Sequence, residues 1–409
     1  MEAHSGTATA VVALVVGLLS ACSTVVAGTP VAETTVSKVD PGNFPTTPRT
    51  VTAQSAADAW QQEGLVMADA VVAPSDIRAD LTASVSDEPE AGAGPLLRVG
   101  QLIERDSARG IRTGGIPPRV AANLELNTRF DAGFATAAGD SSTSPKTQLA
   151  VALLRFTTDD SAEKAMTTLR AGTPPPGALA RIPGAVVVSS TTAGGLTKTA
   201  VAAPVNNLIS LVWATTRGAG SEDLAIKGLA AQVERSRTYV PTVRLSGLTV
   251  PAVPMDKDGI MSRTLASQND SRTRTAFGFS SGFEFGDGYY SPRTRHLMNR
   301  RPDWLASATR NGVDLVGSTA RTTVVRTRNP QSAKTFLSET RADPTATAYD
   351  VPGFSRTQAG CDSIAHPTEP YSCYVTVGRW AIQATSVSLD LARQAISAAY
   401  LINKAAGEN

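Results

Sequence analysis

The order of sequence patterns in this chain occurs twice, and this repetition constrains the fold more than any other feature. Ser161-Ala162 recurs as Ser332-Ala333, Pro183-Gly184 as Pro352-Gly353, and Asp223-Leu224-Ala225 as Asp390-Leu391-Ala392. The offsets of 171, 169 and 167 residues are nearly constant and follow in the same order. Each match alone carries little weight, but three in series predict an internal duplication.

Hydrophobic patterns predict matching elements in the two halves. In the first half we expect a strand over 148–156, a helix over 161–170, strands over 185–192, 198–203 and 208–215, and a closing helix over 221–235. In the second half we expect a strand over 322–327, a helix over 331–340, a strand region over 374–386 and a closing helix over 389–404. The sequence therefore predicts an α+β fold of two related repeats, each strand-helix-strands-helix with the helices packed on a mainly antiparallel sheet.

The beginning of the chain has the pattern of an export signal. An apolar run over 8–19 is too short to span roughly 30 Å of hydrocarbon as a helix, but it suits the core of a signal peptide. It ends in Leu19-Ser20-Ala21-Cys22, the lipobox pattern of bacterial lipoproteins. This predicts a signal peptide over 1–21 and a lipid on Cys22. Two alternatives stay open: a secretory signal in which Cys22 is incidental, and a start upstream, since MEAHSGTA lacks Lys and Arg.

Composition shifts predict the domain organisation. Residues 22–52 are rich in Thr, Val and Pro without helical periodicity, which indicates an extended tether. A helical pattern over 53–70 opens the first α+β domain, predicted over 53–240. Three prolines within 238–254 indicate the boundary to the second domain, predicted over 241–409.

Charge and composition exclude several classes of function. Across 409 residues, 38 Lys and Arg balance 36 Asp and Glu for a net charge of +2, which argues against a nucleic-acid partner. Three histidines and three cysteines leave little for a metal or redox site, and phosphate- and dinucleotide-binding motifs are missing, so we expect no cofactor. With Cys22 lipidated, Cys361 and Cys373 remain, and we predict a disulfide between them. A metal site with His366 is the alternative.

Several short motifs carry a resemblance. The lipobox, the GNFPTTPR segment over 42–49, the helix that follows it, and the late segment from Cys361 through Cys373 to Trp380 resemble a family of uncharacterised envelope lipoproteins from actinobacteria, mainly genera that bear mycolic acids. The resemblance implies a location in the cell envelope and supplies no catalytic residues.

An aromatic segment is the candidate ligand site. Phe277, Phe279, Phe283 and Phe285 share one face of an extended chain, and Arg293 and Arg295 follow, with His296 beside them. One interpretation places the rings in the core between the repeats, with the arginines solvated or paired to local carboxylates. The other is an apolar groove with a basic mouth, suited to an amphiphile with an anionic head.

A catalytic alternative rests on the segment Gly278–Gly282, GFSSG, which matches the nucleophile elbow of esterases with Ser280 as nucleophile. The acids considered for it are Asp287, Asp303, Asp314 and Asp362, and the bases are His296 and His366. The glycines that follow Ser280 disfavour the helix which that elbow requires.

These features predict a non-catalytic, membrane-anchored envelope lipoprotein on the outer face of the cytoplasmic membrane. Its partners would be the membrane, through lipid on Cys22, and a small amphiphile or cell-wall component. A serine hydrolase and a structural, protein-interaction lipoprotein without a pocket are the alternatives. The oligomeric state does not follow from the sequence.

Overall fold

Two antiparallel sheets with the same strand order organise the chain. The computed structural model describes residues 39–53, 55–85, 93–96, 116–170, 177–243, 250–267, 287–299, 301–341, 346–363 and 370–407. The chain from Val39 to Asn409 forms one compact unit.

The strands and helices alternate along both halves. The strands are β1 Ala93–Leu96, β2 Phe130–Gly139, β3 Thr147–Phe156, β4 Val186–Ala193, β5 Leu196–Val205, β6 Leu208–Arg217, β7 Gly288–Tyr290, β8 Leu315–Ser318, β9 Thr322–Arg326, β10 Ala348–Tyr349, β11 Ala359–Ser363, β12 Tyr371–Val377 and β13 Trp380–Ser386. The helices are α1 Ala56–Met67, α2 Pro74–Ile77, α3 Pro118–Asn127, α4 Asp159–Leu169, α5 Ser221–Ser236, α6 Pro292–Asn299, α7 Pro302–Arg310, α8 Pro330–Thr340 and α9 Leu389–Ala405.

The first sheet has the order β1-β2-β3-β6-β5-β4, and the second has the order β7-β8-β9-β13-β12-β11-β10. Strand for strand, β1 to β6 correspond to β7, β8, β9, β11, β12 and β13, and every pairing is antiparallel. The strand β10 is an addition at the edge of the second sheet. The fold is therefore α+β with two related repeats, as the duplicated sequence patterns predict.

The duplication extends to single turns and caps. Thr158 caps α4 by accepting from the Ser161 N–H at 3.1 Å, and Asn329 caps α8 by accepting from the Ser332 N–H at 2.8 Å. In the hairpin turns after β5 and β12, Asn206 and Gly378 have φ values of 55° and 54°. Both turns thus use the left-handed conformation, which Asn and Gly adopt more readily than other residues.

Each sheet is covered on both faces. In the first half, α5 packs through Ala225 and Leu229 against alternate residues of β3, while α4 packs through Ala162 and Ala165 against the remaining ones. Every residue of β3 is therefore buried. In the second half, α9 and α8 occupy the corresponding faces.

Helix α1 lies between the two sheets. The Gln62 side chain donates from Nε2 to the Tyr289 carbonyl at 2.8 Å and accepts from the Tyr289 N–H at 3.1 Å, so it joins α1 to strand β7. On the other side, a Cβ on Gly64 would lie 2.7 Å from the Gly133 carbonyl oxygen of β2. Only a glycine permits this approach, and α1 thereby fixes the two halves to each other.

The GNFPTTPR segment lies along the second half. Phe44 packs on the core beneath α9 with Arg321 over its ring. Arg49 donates to the Thr264 carbonyl at 3.4 Å and to the Thr264 hydroxyl at 3.2 Å. Residues 39–53 are thus a docked strap, and residues 39–52 of it are the described part of the stretch predicted as a tether. The domain bounds 53–240 and 241–409 stay a prediction.

Candidate functional site

The structure describes some of the predicted site residues and not others. Arg293 and Arg295 lie on α6, and Cys361 and Cys373 lie on β11 and β12. Outside the described residues are Cys22, Phe277, Phe279, Phe283, Phe285, Ser280 and His366. Of the predicted ligand site, the structure therefore describes only the two arginines.

Helix α6 belongs to the second half but docks on the first. Arg293 donates to the Asp76 carboxylate at 2.9 Å and to the Val71 carbonyl at 3.1 Å. Ser291, which precedes the helix, donates to Asp69 and accepts from the Thr294 N–H at 3.1 Å. These contacts place the Arg293 guanidinium at the junction of the halves, where it is one-quarter exposed.

Arg295 points to the second half. Its guanidinium carbon lies 5.0 Å from the centre of the Trp304 ring, within the range of a cation–π contact. It also donates to the Tyr290 hydroxyl at 3.3 Å. Arg293 and Arg295 thus contact opposite halves of the molecule from the same helix. The predicted basic mouth of an apolar groove stays a hypothesis.

A small cleft opens beside α6. Its volume is about 20 Å³, and it is lined from the first half by Ala73, Pro74, Ser75, Leu81, Thr82, Thr136 and Ala138, and from α6 by His296 and Leu297. Ligand pockets for small molecules span about 300–1,000 Å³. The described cleft has room for about one water molecule, so it is too small for an amphiphile or for its head group.

A buried charged cluster beneath α1 was not predicted from the sequence. The Glu63 carboxylate accepts from Arg155, from the Tyr239 hydroxyl and, at 3.2 Å, from the Thr242 N–H. Arg155 also donates to the Thr242 carbonyl at 2.7 Å. Burial, followed by the nearby Glu63 carboxylate, raises the pKa of Tyr239 well above its usual value, so its hydroxyl stays a donor. The one sequence signal for this cluster is Arg155 at the end of an otherwise apolar strand.

The second half contains a counterpart of this cluster. Arg155 pairs across the sheet with Ala132, and its Nε lies 3.9 Å from the carboxylate of the preceding residue, Asp131. Arg326 pairs with Leu315 and binds the preceding residue, Asp314, at 2.7 and 3.0 Å.

In each half a further acid comes from the segment that leads into the repeat. In the first half this acid is Glu63 of α1, and in the second it is Asp258, whose carboxylate lies 2.9 Å from Arg326. The cluster is therefore a duplicated structural unit.

The predicted disulfide is present. Cys361 and Cys373 are direct cross-strand partners on β11 and β12, and both are fully buried. Their pairing excludes them as ligands for a metal with His366.

The acids of the hydrolase alternative are partly engaged elsewhere. Asp314 is held by Arg326, and Asp362 accepts from Arg341 at 3.0 and 3.1 Å. Asp287 accepts from the Ser267 hydroxyl at 2.6 Å. His296 lies at the cleft, but its nucleophile Ser280 is outside the described residues. The hydrolase stays a hypothesis.

Comparison with known families agrees with the two halves of the structure. Residues 50–252 match the N-terminal domain, and residues 260–403 the C-terminal domain, of a family described as a domain of unknown function, DUF7373. Together the two matches cover more than four fifths of the chain. The chain belongs to the DUF7373 family. The junction between the two DUF7373 domains falls at the segment where the first repeat ends and the second begins.

Other comparisons add little to the DUF7373 assignment. The extracellular domain of PknH from Mycobacterium tuberculosis matches over all of its length and over 47% of this chain, with 12% identity and a TM-score of 0.25. A likeness at that TM-score carries no argument about this protein. Comparison with the curated proteins finds no match.

The described part of this DUF7373 chain contains neither a candidate metal site nor a candidate membrane-spanning helix. Among those residues, no group of three or more His, Cys, Asp and Glu side chains is placed to hold a metal ion. Nor is any helix there long and apolar enough to cross a membrane.

Proposed function

We propose that this DUF7373 protein is a non-catalytic, lipid-anchored protein on the outer face of the cytoplasmic membrane. The observation that carries the proposal is the buried disulfide between Cys361 and Cys373. Disulfides persist in oxidising compartments outside the cytoplasm and are rare within it. The lipobox at Leu19 to Cys22 supplies the route of export and the anchor.

The ligand we propose is an amphiphile with an anionic head, or a cell-wall component of that character. The support is the position of α6 at the junction of the halves, where Arg293 is one-quarter exposed and His296 lines the small cleft. Phe277, Phe279, Phe283 and Phe285 lie 7 to 15 residues before the start of α6 in the chain. In this proposal the rings supply the apolar contacts for the ligand.

Anchoring and binding are tested separately. For anchoring, the full chain and Cys22→Ser are expressed in an actinobacterial host, the envelope is fractionated, and the mass of the N-terminal peptide is measured. We expect the native chain in the membrane fraction with a diacylglyceryl mass on Cys22, and the variant without it. A native chain in the soluble fraction with an unmodified Cys22 contradicts the anchor.

For binding, the protein is purified from the same host, and native mass spectrometry and organic extraction identify co-purifying lipid. Arg293→Gln and Arg295→Gln should reduce the bound fraction, whereas Arg310→Gln, an exposed arginine on α7, serves as the matched control. Protein that is consistently free of ligand contradicts binding and favours the alternative of an interaction protein without a pocket. The small volume of the described cleft is the observation that favours this second candidate.

A further inference from the structure

One edge of the first sheet is open where its counterpart in the second sheet is covered. β4 is the outermost strand of the first sheet, and within the described ranges of the chain no strand pairs with its outer side. Its counterpart β11 is covered by β10, through Ala348 opposite Asp362 and Tyr349 opposite Cys361. The same position of the same fold therefore accepts an added antiparallel strand elsewhere in this molecule.

The sequence of β4 does not protect this edge. Natural proteins shield edge strands with lysines, prolines, bulges or short strand length. The segment Val186–Ala193 reads VVVSSTTA, with no charge and no proline. A bulge lies between Val187 and Ser189, but from Ser189 to Ala193 the strand pairs with β5 without interruption, and residues 190–193 are exposed. A five-residue stretch is thus open to pairing.

The geometry of the hairpin shows which backbone groups face outwards. Thr192 lies opposite Thr197 of β5, and their hydroxyl oxygens are 3.3 Å apart. Side chains approach this closely at a pair that exchanges no backbone hydrogen bonds, so the N–H and C=O of Thr192 point away from β5. The alternation along the strand gives Ser190 the same orientation, with Thr191 between the two.

We propose that β4 is an interface between two copies of this chain. The two copies pair antiparallel about a two-fold axis at Thr191, so that Ser190 of each copy exchanges two backbone hydrogen bonds with Thr192 of the other. The six-stranded sheets then join into one of twelve strands. A two-fold axis closes the assembly because it uses the same patch on both copies.

A second copy fits this edge better than a foreign peptide does. Serine and threonine side chains form hydrogen-bonded pairs across antiparallel strands, and no like charges oppose each other in the self-paired arrangement. Strand addition by a foreign peptide gains its specificity from pockets for alternate side chains. The segment Val186–Ala193 also carries no charged side chain that a peptide of opposite charge could recognise.

The size of the contact sets the expected strength. Five residues on each side are far fewer than the roughly 20–30 residues per side of a standard stable interface. The dimer should therefore form only at high protein concentration in solution. Confinement of copies to a membrane plane would raise their effective concentration and favour the same contact.

Sedimentation equilibrium on the full chain carrying Cys22→Ser tests the proposal without the anchor. We expect the average mass to rise from monomer to dimer with concentration. Ser190→Pro removes the outward N–H without touching the ladder to β5 and should raise the dissociation constant by about tenfold or more. Ser190→Ala keeps the N–H and is the matched control; it loses only side-chain contacts, so its dissociation constant should rise much less than that of Ser190→Pro. Circular dichroism checks the fold of both variants.

A cross-linking experiment keeps the test decisive if Ser190→Pro disturbs the fold. Thr191→Cys places two thiols together at the proposed axis, so mild oxidation should give a covalent dimer. Thr357→Cys, at an exposed turn of the second half, should not. A chain that stays monomeric at every concentration overturns the proposal. A dimer that neither responds to Ser190→Pro nor cross-links through Thr191→Cys overturns it too.

Discussion

Arg155 and Arg326 hold equivalent places in the two halves, yet their surroundings differ. The side chains of Arg155, Glu63 and Asp131 are 5%, 0% and 7% exposed. Those of Arg326, Asp258 and Asp314 are 14%, 51% and 60% exposed. Helix α1 and the segment after α5 cover the first cluster, whereas the second lies at the surface. The same arginine–carboxylate contacts therefore occur in both halves, but the elements that pack over each cluster decide how much it contributes to stability.

The largest expected effect is at the buried cluster. Glu63→Gln leaves the Arg155 charge without its main partner in a site that water does not reach, and breaking a buried pair in this way costs about 3–5 kcal/mol. We expect the free energy of unfolding to fall by that amount in urea denaturation. If the free energy of unfolding falls by less than about 1 kcal/mol, Asp131 alone balances the charge of Arg155. The proposed difference in stability between the buried and the exposed cluster would then be wrong.

The second half should depend more on its covalent link. Replacing both cysteines in Cys361→Ala/Cys373→Ala opens a loop with a sequence separation of 12 residues. The chain-entropy relation gives a loss of about 3 kcal/mol in the free energy of unfolding. Wild-type protein in reducing denaturant is the control, because it should unfold at the midpoint of the double variant. If the variant matches the oxidised protein instead, the disulfide adds nothing to stability.

Two buried tyrosines, Tyr239 in the first half and Tyr289 in the second, should ionise at different alkaline pH values. Burial raises the pKa of Tyr289 to about 12 from an ordinary 10.0, and burial beside Glu63 raises that of Tyr239 further. An acid whose pKa is higher in the folded state stabilises the fold below its unfolded pKa and loses this contribution as pH rises through the folded pKa. The stability that depends on Tyr289 should therefore decline between pH 10 and 12.

Ionisation of the tyrosines can be followed by phenolate absorbance during an alkaline titration of the folded protein. Tyr289 should ionise at a lower pH than Tyr239, and both should ionise at a higher pH than the tyrosines of a denatured sample. Tyr289→Phe should flatten the decline in the free energy of unfolding across this range. Ionisation of Tyr239 first would contradict the closed environment assigned to the Glu63 cluster.

The smallest effect is expected at the exposed cluster. Asp258→Asn is the counterpart of Glu63→Gln, and asparagine tolerates the positive φ of 54° at this position. Because exposed ion pairs contribute about 0–1 kcal/mol, the free energy of unfolding should change by less than about 1 kcal/mol. A loss as large as that of Glu63→Gln would mean that burial does not separate the two clusters.

The sequence predicted the elements that carry strong local signals. The continuous apolar run of β3 reflects a strand covered on both faces. The helices predicted to start at residues 161 and 331 start at Asp159 and Pro330. The strand region 374–386 is the hairpin of β12 and β13. The strand β2 was missed because its alanines and glycines have weak strand preference, and β7 and β8 because they are short.

The site was less accessible from the sequence because tertiary contacts create it. Gln62 and Glu63 look like solvent-facing helix residues, yet both are fully buried, since their partners lie on strands 227 and 92 residues away, respectively. The cleft likewise needs α6 to dock on β2, through the Thr136 hydroxyl and the Leu297 carbonyl at 2.9 Å. No local pattern encodes such contacts.

The docked strap has a mechanical consequence. Residues 39–53 enter the fold at its amino-terminal end, but Phe44 and Arg49 attach them to the second half. Tension applied to the chain ahead of Val39 is therefore resisted first by the carboxy-terminal repeat, which is also the repeat with a covalent cross-link between neighbouring strands. Such tension would detach the strap before it reached α1, so the contact between the halves is protected from the load.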